Sequence, residues 1–226
     1  MNEYLKNLNR IEFVITMACT GRCKHCSEGE HVCNGEHIDG ESAAKAIKDV
    51  CENYKIQSLM TFGGEPLLYP EDVCKIHAVA KEVGIPKREM ITNGFFSKDE
   101  KRIKDVVHKL AQSGLNYIML SVDAFHQETI PLEPVKYFAK CAKNEGISIR
   151  VHPAWLVNES DDNPYNTRTK ELLQDFIQDG IEYVNPYEDD PRDIQSISFN
   201  PNGDVFNGNI YQNCIMDILN SYSVNQ

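Results

Sequence analysis

The residues of this sequence with the plainest chemical meaning are three cysteines in one short stretch. Cys19-Thr20-Gly21-Arg22-Cys23-Lys24-His25-Cys26 places three thiols within eight residues. Thiolates this close can face a single metal centre. Structural zinc takes four ligands, and iron–sulfur clusters usually take four cysteines. Three thiolates on a four-iron cluster would leave one iron open to a substrate or cofactor. A zinc site completed by His25, His31 or Cys33 is the alternative that the same residues allow. The chain holds eight cysteines, and Cys33, Cys51, Cys74, Cys141 and Cys214 are scattered without metal spacing. Cys51, Cys74 and Cys141 lie on or beside apolar helical stripes, where free cysteine behaves as a small hydrophobe.

Three further segments carry small or polar residues where strands end: Gly63-Gly64-Glu65-Pro66, Thr92-Asn93-Gly94 and Ser121-Val122-Asp123-Ala124-Phe125-His126. Paired glycines admit a backbone approach that a Cβ would block. Each segment also reads as an ordinary turn.

The elements that must position these groups alternate apolar runs with amphipathic stretches. Strands are expected at 11–16, 58–62, 89–92, 117–122 and 147–151, with a sixth at 181–184. The intervening helices carry stripes such as Ala43, Ile47, Val50 and Val73, Ile76, Ala80. The helix bearing Ile103, Val106, Val107 and Leu110 is expected to start with a capping box between Ser97 and Glu100 and to stop at Gly114. A polar loop, 158–167, precedes the stripe of Leu172, Leu173 and Phe176. This order predicts an α/β protein of parallel βαβ units. A full eight-unit barrel typically takes about 250 residues, so the expectation is a partial (β/α)6 open barrel over 1–190. The remainder, 191–226, reads as a hairpin around Asn202-Gly203 and a helix with Ile215, Ile218 and Leu219.

Composition bounds the function. The chain has 226 residues, 23 Lys+Arg against 34 Asp+Glu, and a net charge of −11. That balance argues against a general nucleic-acid binder, which must neutralise phosphates. No apolar run approaches the roughly 18–20 residues of a membrane span. The N-terminus lacks a basic patch followed by an apolar stretch, so a cytoplasmic setting is expected.

Cys-x3-Cys-x2-Cys after a first strand, with the three further segments in this order, resembles the radical S-adenosylmethionine (SAM) superfamily. The tail 202–210 resembles the start of the SPASM extension of peptide- and protein-modifying members. It departs from that pattern at Asn207, where the first SPASM cysteine is expected, and only Cys214 follows. The resemblance implies a [4Fe-4S] cluster on Cys19, Cys23 and Cys26, with SAM on the open iron. It also implies reductive cleavage of SAM to a 5′-deoxyadenosyl radical and hydrogen abstraction from a substrate. Gly63, Gly64 and Glu65 are expected at the SAM amino group, His25 at the adenine, and Asn93 and Ser121 at the ribose or methionine. Arg150 is expected at the SAM carboxylate or in a structural ion pair. Asp123, His126 and His152 are candidates to face the substrate.

The implied partners are a peptide or protein substrate and a flavodoxin or ferredoxin electron donor, steered by Arg22 and Lys24. A glycyl-radical-enzyme activase or a small-molecule enzyme would share the same core. A zinc-stabilised binding module is the reading from a different class.

Overall fold

Each of the first five strands is followed by a helix that buries its apolar stripe against the sheet, as parallel βαβ units require. The computed structural model describes residues 3–26, 35–184, 195–202 and 204–207. In chain order the elements are β1 (Arg10–Thr16), α1 (Gly40–Asn53), β2 (Ser58–Gly63), α2 (Pro70–Glu82), β3 (Lys87–Thr92) and α3 (Glu100–Ser113). There follow β4 (Tyr117–Leu120), α4 (Leu132–Asn144), β5 (Ser148–Val151), α5 (Pro164–Gln178), β6 (Ser196–Phe199) and β7 (Val205–Asn207). The sheet runs β5-β4-β3-β2-β1-β6-β7, parallel except for the antiparallel β6–β7 pair, and it does not close. The expected open barrel is therefore present.

Strand alternation sorts the side chains onto two faces. Ile11, Phe13 and Ile15 of β1 join Leu59, Met90, Ile118 and Val151 in the main core beneath the helices. The opposite, concave face carries a smaller apolar cluster of Val14, Met60 and Phe62, with Met17, Ile91 and Met119 against it. At the N-terminal end of the strands this face is closed by charge. Arg10 lies 2.9 Å from Glu12 and 3.0 Å from Glu89, and Lys87 reaches Glu89 at 2.8 Å. Ser198 of β6 donates to Glu12 at 2.7 Å. Buried ions persist only when partnered, and the Ser198 bond draws β6 into the same network.

Three expectations are corrected. The sixth strand at 181–184 is a single bridge, Val151 to Tyr183. The position beside β1 is taken by β6, which brings the hairpin strands into the barrel sheet. The capping box of α3 does not form. Asp99 is the N-cap, accepting from the Lys101 amide at 3.0 Å, and Ser97 accepts from the Asp99 amide. A carboxylate two residues on competes successfully for the same helix end. Gly114 does end α3, at φ 92°. Finally, α5 starts inside the expected 158–167 loop, at Pro164. Buried Asn166 ties that loop down through its amide, donating to the carbonyls of Asn158 (2.8 Å) and Asp161 (3.0 Å). The expected helix near Ile215 lies outside the described residues.

His77 of α2 is fully buried, with Nε2 3.0 Å from the Thr61 hydroxyl. Thr61 donates to the Glu89 carbonyl at 3.4 Å, so it accepts from His77, and Nδ1 is left without a partner among the described residues. Burial, with a smaller contribution from the Arg88 charge, lowers its pKa to about 3. Below its ordinary value of about 6.5 the unfolded chain therefore binds a proton that the folded chain refuses. Stability from this residue is fully present above pH 6.5 and is lost as pH falls toward 3, by up to about 1.4 kcal/mol per pH unit. Urea unfolding at pH 7, 6 and 5 should show this slope, and His77→Gln, which can still donate to Thr61, should flatten it. Equal slopes for both proteins would contradict the assignment.

Candidate functional site

The cysteine loop leaves the C-terminal end of β1, and the ends of β2 and β3 hold it in place. Gly63 adopts φ 123°, and a Cβ there would come within 2.5 Å of the Thr16 carbonyl. A Cβ on Gly64 would overlap the Ala18 carbonyl. This absence of side chains lets the Gly64 amide donate to Thr16 O at 2.7 Å and the Glu65 amide to Ala18 O at 2.8 Å. The glycine pair thus acts as a backbone clamp on residues 16–18.

Glu65 is 0% exposed. Its Oε1 accepts from the Leu67 amide (2.9 Å) and the Thr92 hydroxyl (2.7 Å), and its Oε2 accepts from the Asn93 amide (2.9 Å). Burial outweighs these three donors and pushes its carboxyl up to about 7. The enclosed carboxylate holds the end of β3.

Cys19, Cys23 and Cys26 are partly buried and outside any disulfide. Burial raises the Cys19 thiol to about 11, against the Gly21 amide that bonds its sulfur at 3.3 Å; nearby Glu65, Cys23 and Cys26 raise it further. Asn93 Nδ2 lies 3.5 Å from the same sulfur. Arg22 turns back to donate to the carbonyls of Cys19 and Gly21, both at 2.7 Å, and Lys24 pairs with Glu128 at 2.9 Å. The Lys24 charge is thus paired across to Glu128, while the Arg22 guanidinium meets neutral carbonyls of its own loop.

Asp123 and His126, candidates to face the substrate, lie in the wall beside the cysteines. Asp123 Oδ1 accepts from the amides of Phe125 and His126, and Oδ2 accepts from Ala154 and meets His126 Nδ1 at 2.7 Å. Burial opposes the charge on each partner. The pairing wins, holding Asp123 below the usual carboxylate range, and with Cys23 as a second partner it raises His126 to about 10. His25 packs its ring 4.8 Å from both Phe125 and His126, and burial with the His126 charge lowers its pKa. His25, Asp123 and His126 bring ligand atoms within 4.8 Å of one another. Asp123 already meets four donors, which leaves this trio poorly suited to a metal.

The remaining candidates line the other wall. Ser121 follows β4, its amide bonded to Thr92 O at 2.9 Å. His152 follows β5, with Nε2 3.4 Å from the Tyr117 hydroxyl. Arg150 registers with Met119, hence on the concave face, and is 45% exposed with Glu182 3.8 Å away. Thr20, Thr129 and Tyr165 were missed. Thr129 accepts from the Arg22 amide at 3.0 Å, and Tyr165 stacks on Phe125 at 4.6 Å. Nothing local in the sequence marks them, since their partners are distant in the chain. Cys33 and His31 lie outside the described residues.

Residues 13–162 match the family model described as the Radical SAM superfamily. The chain belongs to the radical SAM superfamily. It is 30% identical over 130 residues to a probable GTP 3′,8-cyclase of Saccharolobus islandicus, covering 57% of this chain and 39% of that protein. A probable GTP 3′,8-cyclase of Methanocaldococcus jannaschii is 24% identical over 127 residues. The matched region thus spans well under half the length of these relatives. Among solved structures, Streptococcus suis SuiB bound to precursor peptide SuiA aligns over 94% of this chain and 64% of that one, with TM-score 0.60 and 13% identity. Native anSMEcpe with bound AdoMet aligns over 79% and 52%, with TM-score 0.56 and 18% identity. At these identities the likeness is one of fold.

A radical SAM protein is an enzyme that uses a [4Fe-4S] cluster and SAM, and the loop fits that group. It offers three thiols outside any disulfide and close enough to interact electrostatically, a side-chain-free clamp beneath them, and donors aimed at two of the sulfurs. The non-catalytic zinc reading is set aside. Among the described residues no helix is long and apolar enough to cross a membrane.

The enclosed carboxylate of Glu65 gives a test that needs no cofactor. Glu65→Ala leaves three donors without their acceptor and should lower unfolding free energy by on the order of 3 kcal/mol. Denaturant unfolding of the cofactor-free protein measures this; wild-type stability in the variant would refute the structural role.

Proposed function

We propose that this radical SAM enzyme abstracts a hydrogen atom from a peptide or protein substrate. Cys19, Cys23 and Cys26 hold the cluster, and the concave face of the open barrel receives SAM and the substrate. The observation that carries the substrate class is the rim of that barrel. Leu156, Val157 and Tyr183 are exposed just beyond the C-terminal end of β5, the same end of the sheet as the cysteine loop. Trp155 packs against Tyr183 at 6.4 Å. Val157 is 75% exposed and sits at φ 70°, an uncommon conformation for a β-branched residue and one that recurs at functional sites. Exposed apolar side chains around an open mouth suit a chain-like ligand that presents side chains of its own. The alignment with peptide-bound SuiB, which extends over nearly the whole chain, supports the same reading.

The cofactors, when bound, supply the one-electron chemistry that cleaves SAM and removes the hydrogen atom. The chain supplies position and shelter. The glycine clamp sets the loop, Asp123 orients His126 toward Cys23, and Val14, Met60, Phe62 and Met119 exclude water from the concave face. Ser121, His152, Tyr117 and Arg150 form the polar wall across from the cysteines, the region proposed to contact SAM and substrate. A flavodoxin or ferredoxin in a reducing cytoplasm is the proposed source of electrons.

A nucleotide substrate is the second reading, favoured by the relatives named probable GTP 3′,8-cyclase.

Anaerobic reconstitution should yield about four irons per chain and 5′-deoxyadenosine on reduction with SAM, and Cys23→Ala should abolish both. Stoichiometric zinc with no 5′-deoxyadenosine would refute the cluster assignment. The substrate is read from deuterium. A deuterated synthetic peptide, taken from the small open reading frame nearest this gene, is expected to pass its label into 5′-deoxyadenosine. Transfer from deuterated GTP and none from the peptide would establish the nucleotide reading instead.

A further inference from the structure

Asn93 is 6% exposed, and each polar atom of its side chain has a partner. Oδ1 accepts from the Phe95 amide at 2.8 Å, while Nδ2 lies 3.2 Å from Thr20 Oγ1 and 3.5 Å from Cys19 Sγ. The Thr20 hydroxyl gives its one proton to the Phe95 carbonyl at 2.7 Å, so toward Asn93 it can only accept. These bonds fix the amide orientation. The Phe95 N–H demands the oxygen, which forces the NH2 group toward Thr20 and the Cys19 sulfur. The backbone is fixed as well, because the Asn93 amide bonds Glu65 Oε2 at 2.9 Å.

From this geometry we infer that Asn93 is a positioning residue that tunes the cluster, donating a hydrogen bond to the Cys19 thiolate and making the cluster easier to reduce. The inference rests on the cluster assignment above. Reduction adds negative charge to the cluster and its thiolates, so a donor at a ligand sulfur stabilises the reduced form more than the oxidised one. A neutral amide does not titrate in the working range, so its contribution is independent of pH.

The test compares Asn93→Ala with Asn93→Asp. Alanine removes the donor. Aspartate keeps an acceptor for the Phe95 amide, and with it the local turn, but removes the donor and adds charge. Each protein is reconstituted anaerobically, its iron counted, and the midpoint potential of its cluster read by EPR-monitored titration without substrate. Both variants should hold the wild-type iron content and titrate at more negative potential. The expected change in the reduction equilibrium constant is about twofold to tenfold for alanine, tenfold being about 59 mV for one electron, and larger for aspartate. Unchanged potentials in iron-replete variants would overturn the inference and leave the cluster assignment intact. Loss of iron from both variants would overturn it too, showing a role in assembly alone. A wild-type protein that binds no iron would instead refute the cluster assignment itself.

Discussion

The organisation of this site depends on a close approach between two backbones. Residues 16–18 must pass so near the end of β2 that no Cβ can be accommodated at Gly63 or Gly64, and the amides of Gly64 and Glu65 bond across the gap to Thr16 and Ala18. That contact sets the direction in which the cysteine loop leaves β1. Glu65 extends it sideways, spending its buried carboxylate on Leu67, Thr92 and Asn93, so that the ends of β2 and β3 are locked to the loop in one hydrogen-bonded unit. A buried carboxylate is tolerated here because every donor around it would otherwise be unpaired.

Two walls rise from that unit, and they differ in chemistry. The wall after β4 is committed to the cysteines, with Asp123 holding His126 and bracing His25 and Phe125 behind the thiols. The wall formed by β4 and β5 turns Met119, Tyr117, Arg150 and His152 toward the open space. The division follows from the sheet. Groups in the loop after β4 fold back over the cluster loop, whereas groups within the strands face the concavity by alternation. At the far end Arg10, Glu12, Glu89 and Lys87 seal the floor, leaving the C-terminal mouth as the accessible end, where ligands bind in parallel α/β sheets.

Superfamily membership, the cofactors and the open-barrel architecture rest on agreement between motif order, family match and fold. The proposed substrate class rests on the rim. The Saccharolobus islandicus relative named probable GTP 3′,8-cyclase matches over 57% of this chain, whereas the SuiB fold likeness extends over 94% of it. Core chemistry and substrate choice are carried by separable parts of such a fold.

The sequence by itself determined the chemistry and the order of the elements. The three cysteines, the glycine pair and the strand–helix alternation are local signals, readable because spacing and periodicity are properties of neighbouring residues. The stop at Gly114 was legible for the same reason. Only the tertiary structure decided where the hairpin went, because β6 meets β1 across 186 positions of chain, with Ser198 bonding Glu12 and Phe199 stacking on Phe13. It also decided which groups surround the polar residues. Glu65, Asp123 and His126 read as ligand or substrate contacts from their types, and the fold adds the distant donors and partners that hold them, while Asn93 turns toward a sulfur. Residue type determines what a side chain can do. Which groups surround it, and hence what it does, is fixed by contacts between segments far apart in sequence.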